Sequence, residues 1–406
     1  MELYHKRHKT SKFAPQDFIS DMPDIVITNI LDRLPLQDAV RTGVLSRNWR
    51  FKWTMLSQLV FDDDFFKYLS KTQGKNNHVR IISRILHHLR GSITKFVLFL
   101  DDVLVLDAKH IRRWIRFLSP KGIKDLTINN SDVTLLNLPT HLFSCLELEH
   151  LKLYNCYFNP PPTFHGFPNL LSLDLFVEIE EDFEVGKFLT GCPLLEDLTM
   201  DGLFEVGKVK VVEITKLENL KILSLKFYDL DDTSVMSSST IFELLGSLPK
   251  LQELDLDFQD CQLREGGAKK RFSTVFPCLK ALKLSIYLDN GMNLSRAFEL
   301  IRSFPNLQTL AITTTDLYDV QTHAICSQEV EYNTMELLQL RSVTFEYLKG
   351  SENEVCLIKY LLACSPFLKS IIIRPCSYLA YDKKLMFATK LLNLYRASPV
   401  VEINIS

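Results

Sequence analysis

Several things are missing from this sequence, and each absence excludes something. No apolar run reaches the length of a membrane span; the richest, Phe96 to Leu106, is cut by Asp101 and Asp102. No charge of one sign prevails: 47 basic residues face 49 acidic ones, a net charge of −2. That removes any global pull toward nucleic acid or anionic membrane. The first residues, MELYHKRHKTSK, are polar and basic and lack the apolar core of a signal peptide. The nine cysteines, at 145, 156, 192, 261, 278, 326, 356, 364 and 376, form no C-x-x-C pair, and their number is odd. Reduced thiols in a nuclear or cytoplasmic chain are the expectation. Catalytic signatures are absent too: no H-E-x-x-H, no G-x-S-x-G and no dinucleotide glycine string. Gly202-Leu-Phe-Glu-Val-Gly207-Lys208 has Walker spacing, but Val209 follows where a hydroxyl is needed for Mg²⁺. The ten histidines show no metal-ligand spacing with the cysteines, and His87-His88 reads as surface. No catalytic residue, metal or cofactor is expected.

What is there is an apolar fraction of 46%, which marks a folded chain, and a length of 406 residues, more than one growing core holds. From residue 58 the chain repeats itself. After a first strand at Leu59-Val60-Phe61, one phrase recurs: apolar, two residues, apolar, one residue, apolar. Its first positions are Ile93, Ile123, Leu148, Leu170, Leu195, Leu220, Leu251, Leu279, Leu307, Leu340 and Leu368, spaced 22 to 33 residues apart. Many copies open with a turn proline, as in Phe167-Pro168-Asn169-Leu170 and Phe304-Pro305-Asn306-Leu307. The fullest copy runs from Leu148 through Leu151, Leu153 and Cys156 to Phe158. The last two apolar positions of the phrase sit two apart, so on a short strand they face one side. Such strands do not fold singly; stacked, they form a parallel sheet over one continuous core. Phe183, Phe188 and Leu189, and Ile241, Leu244, Leu245 and Leu248, read as helical returns. The fold class expected is α/β: a solenoid of about eleven units with a curved parallel sheet.

Ahead of the repeats, Asp17 to Trp53 reads as three short helices. Pro23 suits a helix start, and Ile27, Ile30, Leu31 and Leu34 fall on one helical face. Pro35 stops that helix at the preceding residue. Val40 and Val44 lie four apart in a second segment. Ser46 is placed to cap a third helix carrying Trp49 and Trp53. A stretch this short buries a core poorly by itself and needs a partner.

This stretch resembles an F-box, the motif that docks onto the Skp adaptor of cullin–RING ubiquitin ligases. The matching residues are Pro23, Asp24, Ile30, Leu31, Leu34, Pro35, Asp38-Ala-Val-Arg-Thr42, Val44-Leu-Ser46, Trp49, Arg50 and Trp53, with Met22 where leucine is usual. Residues 110–128, read as helix, turn and strand with Trp114 in the core, resemble the first repeat of plant F-box/leucine-rich-repeat proteins. The last 70 residues resemble the FBD module of that family through Leu340-Arg-Ser-Val343, Gly350-Ser-Glu-Asn-Glu354, Leu361-Leu362, Ser365-Pro366 and Arg396-Ala-Ser-Pro399. Cys376 to Tyr381 is more apolar than the family's linker. A helix around 384–394 and a strand at 400–405 complete a cap that a solenoid needs at its end.

The resemblance implies a layout: a disordered basic tail at 1–16, an F-box at 17–57, repeats at 58–336 and an FBD module with terminal cap at 337–406. It implies a non-catalytic substrate receptor of a Skp–cullin–F-box ligase, raising a target's effective concentration at the conjugating enzyme. Adaptor contact falls to Pro23, Ile30, Leu31, Leu34, Pro35, Val44, Leu45 and Trp49, some of which must instead fill the F-box's own core. The partners implied are a Skp-type adaptor, through it a cullin–RING ligase, and a protein substrate; no nucleic acid or membrane is called for. Residues between the strand leucines face the concave side of such a solenoid. There Asp174, Asp197 and Asp201 form one acidic group and Glu253, Asp255 and Asp257 another, with Lys226 between, which suits a basic partner. Two other readings stand: a small-molecule, hormone-type receptor on the same solenoid, and an adaptor-binding scaffold that delivers no substrate.

Overall fold

The computed structural model describes residues 19, 21–73, 77–100, 108–132, 134–180, 183–201, 214–228, 238–260, 276–288, 291–314, 337–377 and 379–405. They fall in two compact units, Met1–Leu126 and Thr127–Ser406. The basic tail and the Walker-like stretch lie outside the described residues.

In the first unit, Pro23 precedes helix α1 (Asp24–Leu31) and Pro35 precedes α2 (Leu36–Arg41), each proline at a φ near −50° that leads directly into a helix. Helix α1 ends short of Pro35. The N–H groups of Arg33 and Leu34 turn back onto the Ile30 and Leu31 carbonyls, a tightened last turn. The expected third helix does not form. Ser46 Oγ does accept the Trp49 N–H at 3.4 Å, but the chain there forms turns between two 3₁₀ segments, Thr42–Val44 and Lys52–Met55. Gly43, Asn48, two tryptophans and Phe51 are weak helix formers in so short a stretch. Phe51 leaves helical backbone at φ −124° and ψ 4°.

Strand β1 (Gln58–Phe61) follows, then helices α3 (Asp63–Gln73) and α4 (His78–His88), and strand β2 (Lys95–Leu100) parallel to β1. Helix α5 (Ala108–Leu118) runs through a 3₁₀ turn and the left-handed Gly122 into strand β3 (Asp125–Asn130), the order read from 110–128. Trp114 is buried and its Nε1 donates to Ser83 Oγ at 3.0 Å. The division between the units falls inside β3.

The second unit is a parallel sheet. Its strands are β5 (His150–Phe158), β6 (Ser172–Ile179), β7 (Asp197–Asp201), β8 (Ile222–Tyr228), β9 (Glu253–Asp260), β10 (Ala281–Ser285), β11 (Thr309–Thr313), β12 (Ser342–Leu348), β13 (Ser370–Pro375) and β14 (Glu402–Ile405), paired in chain order, while the short β4 (Leu136–Asn137) pairs with β5. Each strand of the recurring phrase starts two residues after its first apolar residue, from Lys95 after Ile93 to Ser370 after Leu368. Helical returns run at Val185–Thr190, Ser238–Gly246, Gly291–Arg302 and Glu352–Cys364. The last helix, expected over 384–394, spans Tyr381–Leu392.

Three devices repeat. The phrase's first leucine closes a tight turn, as when the N–H groups of Leu170, Leu195, Leu251 and Leu307 bond the carbonyls of Phe167, Cys192, Leu248 and Phe304. An asparagine in the turn reaches the preceding repeat: Asn169, Asn219 and Asn306 donate to the carbonyls of Leu146, Pro193 and Pro277 at 3.1, 2.9 and 2.8 Å. The carbonyl of the residue just before each strand accepts two N–H groups from the next repeat; Glu149, Leu171, Glu196, Lys221, Gln252, Lys280, Gln308 and Arg341 all do so. Backbone donors and acceptors are thereby satisfied between repeats.

Inward side chains are mostly leucine, isoleucine and phenylalanine, with Val177, Met200 and Val343 among them. Around β5 and β6 they give way to rings: Phe158 meets Phe143, Phe183 and Phe188 at centroid distances of 5.4, 5.8 and 5.4 Å. Gly191 is obligatory beside this cluster, because a Cβ there would lie 1.5 Å from the His165 carbonyl oxygen. The helix Glu352–Cys364 opens with a capping box. Ser351 accepts from the Glu354 N–H, and the buried Glu354 carboxylate accepts the N–H groups of Lys349, Gly350 and Ser351 at 3.2, 2.7 and 2.8 Å.

Candidate docking surfaces

Helix α1 carries apolar residues on more than one face. Ile27 and Leu31, four apart, point into the first unit and are 1% exposed. Ile30 and Leu34, expected on the same face, are 44% and 41% exposed instead. The difference arises because α1 sits over its neighbours through one narrow stripe, and the winding carries Ile30 to its flank. Val44 and Leu45, projecting from the 3₁₀ turn, are 86% and 68% exposed. Pro23 and Pro35 are exposed as well. Trp49 is 8% exposed, so Trp49 and Leu31 belong to the unit's interior, beneath the exposed residues rather than among them. Ile25, Val26, Phe51 and Met55 add exposed apolar surface that was not singled out from the sequence; the β-branched pair Ile25-Val26 beside Ile27 was its one legible sign.

This helix is anchored to the strand that follows. Asp32, just past its end, accepts the Ser57 N–H at 3.0 Å, the Ser57 hydroxyl at 2.6 Å and the Gln58 N–H at 3.2 Å. Ser57 is in turn bonded through its carbonyl to Thr94 and Lys95 at the start of β2. The Arg90 N–H reaches the Thr54 carbonyl at 2.8 Å.

The second surface is the open face of the sheet in the second unit, where the residues between the buried leucines point outward. Pairing places Lys152, Asp174 and Thr199 in one row, and Ser224, Asp255 and Lys283 in its continuation. Asp174 thus lies opposite Thr199, diagonal to Asp197 and Asp201. The acids do not stand alone. Asp174 takes the Tyr154 hydroxyl and meets Lys152 at 3.6 Å. Asp197 accepts from Ser172 Oγ at 3.1 Å, Asp201 meets Lys226 at 3.7 Å, and Asp255 meets Lys283 at 2.9 Å. Burial, and then the bond to Asp174, push the Tyr154 phenol well above its ordinary value. Glu253 is exposed on this face, and Asp257 lies beside Lys226 in the row. Exposed Phe176 and Ile222 interrupt the polar pattern.

A cavity of about 630 Å³ opens on the other side of the repeats, near Phe143, Phe164, His165 and Gly191. No charged side chain lines it. Among the described residues no group of histidines, cysteines and carboxylates is arranged to hold a metal ion, and no helix is long and apolar enough to cross a membrane. None of the seven cysteines described forms a disulfide.

Comparison with known proteins bears on both surfaces. Residues 19–60 match the model of the F-box domain, and residues 111–235 match the model described as FBD-associated F-box protein At5g56370, LRR repeats. The chain is similar to the F-box/LRR-repeat protein At4g14103 of Arabidopsis thaliana, 31% identical over 197 residues, 46% of this chain and 50% of that protein. It is also similar to the F-box/FBD/LRR-repeat protein At1g13570 of the same plant, 30% identical over 413 residues that cover 95% of this chain and 98% of the relative. A likeness that runs nearly end to end in both proteins spans the helical start, the repeats and the closing module alike, and the chain belongs to the F-box/FBD/LRR-repeat protein family.

Proposed function

We propose that this chain is a substrate-recognition subunit of a Skp–cullin–F-box ubiquitin ligase. It docks on a Skp-type adaptor through the exposed apolar residues of its F-box and holds a protein client on its repeats. The F-box match supports adaptor binding in general. The observation that carries the finer reading is the apolar excess of the helical unit: Ile30, Leu34, Val44 and Leu45 are exposed in one short sequence whose core is already filled by Ile27, Leu31 and Trp49. Apolar surface clustered this way is covered in a working complex. Leu31 and Trp49 hold the docking residues in place from beneath, and Pro23 and Pro35 fix where the two helices begin.

The chain does no bond chemistry in this reading. It acts by proximity, keeping a client near the conjugating enzyme, inside the nucleus or cytoplasm where that machinery works. The client surface is the open face between β6 and β9, with Asp197 and Glu253 beside the apolar Phe176 and Ile222, and Asp257 opposite Lys226. Asp174, Asp201 and Asp255 already meet lysines and serve to order that face. Their pairing lowers the affinity a basic partner would draw from charge alone.

Co-expression with a plant Skp-type adaptor, followed by capture, tests the reading. Wild type is retained, while the Leu34→Asp/Pro35→Ala double variant, checked for folding, is lost. Failure of every adaptor to capture the folded wild-type chain overturns it.

A further inference from the structure

A third surface follows from the row of residues that immediately precede strands β9 to β13. On five consecutive strands this row reads Gln252, Lys280, Gln308, Arg341 and Lys369. We propose that this rim of the sheet is a docking site for an acidic protein segment in extended conformation.

The first argument is how these cations are held. On the open face Lys152, Lys226, Lys283 and Arg374 each meet a carboxylate within 3.7 Å. One strand before this stretch of the rim, Lys221 meets Glu196 at 2.7 Å; from β9 onward the partners of the rim cations are neutral. Lys280 donates to the Gln252 side-chain oxygen at 3.2 Å, and Arg341 donates to the Leu338 carbonyl at 3.1 Å and the Gln339 side chain at 3.5 Å. Lys250, in the turn before β9, donates to the Asn219 side chain at 2.8 Å. A neutral acceptor fixes where an ammonium or guanidinium sits and leaves its charge uncancelled. The Lys280 and Arg341 side chains are held in place and their positive potential remains.

The second argument is the surroundings. The next residue along these strands is Ala281, Thr309, Ser342 or Ser370 from β10 to β13, none of them acidic. Glu253 and Glu402 bound the stretch at its two ends. Charge of one sign is therefore confined to one strip, in a chain whose net charge is −2.

The third argument is spacing. The doubly bonded carbonyls of Gln252, Lys280, Gln308 and Arg341 lock this row to the strand separation, about 4.8 Å per step. Lys280 to Lys369 is three steps, about 14 Å, the span of about four extended residues. Gln308, between Lys280 and Arg341, offers both a donor and an acceptor to a peptide backbone. Phe367, exposed, lies 5.3 Å from the Arg341 guanidinium and supplies an apolar contact beside it. A carboxylate-rich peptide meets all these features. A nucleic acid would use only the charge, and one ring is a poor stacking platform.

The proposal does not depend on adaptor docking, so each stands or falls separately. Fluorescence anisotropy with the full-length chain tests it, using a labelled Glu/Asp-rich peptide of about twelve residues as the probe. Saturable binding that weakens with added salt is expected. K280E/R341E/K369E should weaken it by about tenfold or more, and K152E on the open face should leave it unchanged. K280Q/R341Q/K369Q, with an unchanged melting temperature, should give an intermediate loss and guards against a misfolded reversal variant. Absence of saturable binding, equal binding by the folded neutral variant, or equal or tighter binding of single-stranded oligouridine overturns the proposal.

Discussion

Helix α1 and strand β6 are both dense in apolar residues and dispose of them differently. In β6 the alternation is strict: Leu173, Leu175, Val177 and Ile179 go inward, and Ser172, Asp174, Phe176 and Glu178 go outward, Phe176 being the one apolar residue on that side. The pleat has two faces, and the sequence assigns one to the core. Helix α1 has Ile27 and Leu31 inward but also Ile25, Val26 and Ile30 outward. Its surroundings bury one stripe and leave the rest. The repeats are closed on themselves by their neighbours; the F-box is complete in fold and incomplete in burial. Stability should therefore be concentrated in the repeats, and association in the F-box.

The sharpest way to break that contrast is a core change in the repeats. Phe158→Ala removes a ring held by three others and should cost about 3–5 kcal/mol in denaturant unfolding, with no direct effect on adaptor binding. Val44→Asp/Leu45→Asp should do the opposite. Unfolding stays within about 0.5 kcal/mol of wild type, and adaptor affinity falls by about 2–4 kcal/mol, read by calorimetry. If the double variant unfolds early, those residues are core and the contrast fails.

Asp32→Ala tests the tie between the two styles of burial. It leaves the Ser57 and Gln58 donors without their acceptor and should cost about 1–3 kcal/mol. Faster hydrogen exchange at the start of β1 is the expected accompaniment. Glu354→Ala gives the smallest effect, about 1–2 kcal/mol, by removing the cap of its helix. It also has a pH signature. Burial raises the Glu354 carboxyl above its ordinary 4.5, against the opposing pull of its backbone hydrogen bonds. A raised folded value favours the protonated form in the native state. Its contribution to stability is then fully present below the ordinary value and lost as pH rises through the folded one. Stability curves of wild type and variant should converge in slope once that titration is gone.

Much of the solenoid was legible because one phrase recurs and its period fixes where strands begin. Strand β13 starts two residues after Leu368 for the same reason that β6 starts two after Leu170. The F-box was legible as a motif and less so as geometry. Ile30 and Leu31 look equivalent in sequence, and only packing separates them. The third helix failed because Ser46 caps a turn just as well as a helix. The ion pairs of the open face were out of reach, since Lys226 lies one full repeat from Asp201 and meets it only once the strands are in register. Two of the three turn asparagines, by contrast, Asn169 and Asn306, stand in visible Pro-Asn-Leu triplets, while Asn219 follows Glu218 and carries no such mark.

The doubly bonded carbonyls of the pre-strand row have one more consequence. The fold uses that row chiefly through its backbone, each carbonyl from Glu149 to Arg341 taking two N–H groups and that of Lys369 one, while its side chains are Glu149, Leu171, Glu196, Lys221, Gln252, Lys280, Gln308, Arg341 and Lys369, among which Lys221 meets Glu196 at 2.7 Å and Lys280 donates to Gln252 at 3.2 Å. Acidic, basic, amide and aliphatic residues are thus all accommodated there by one backbone pattern. The row is a blank margin running the length of the sheet, where mutation rewrites what the protein recognises while the text that folds it stays intact.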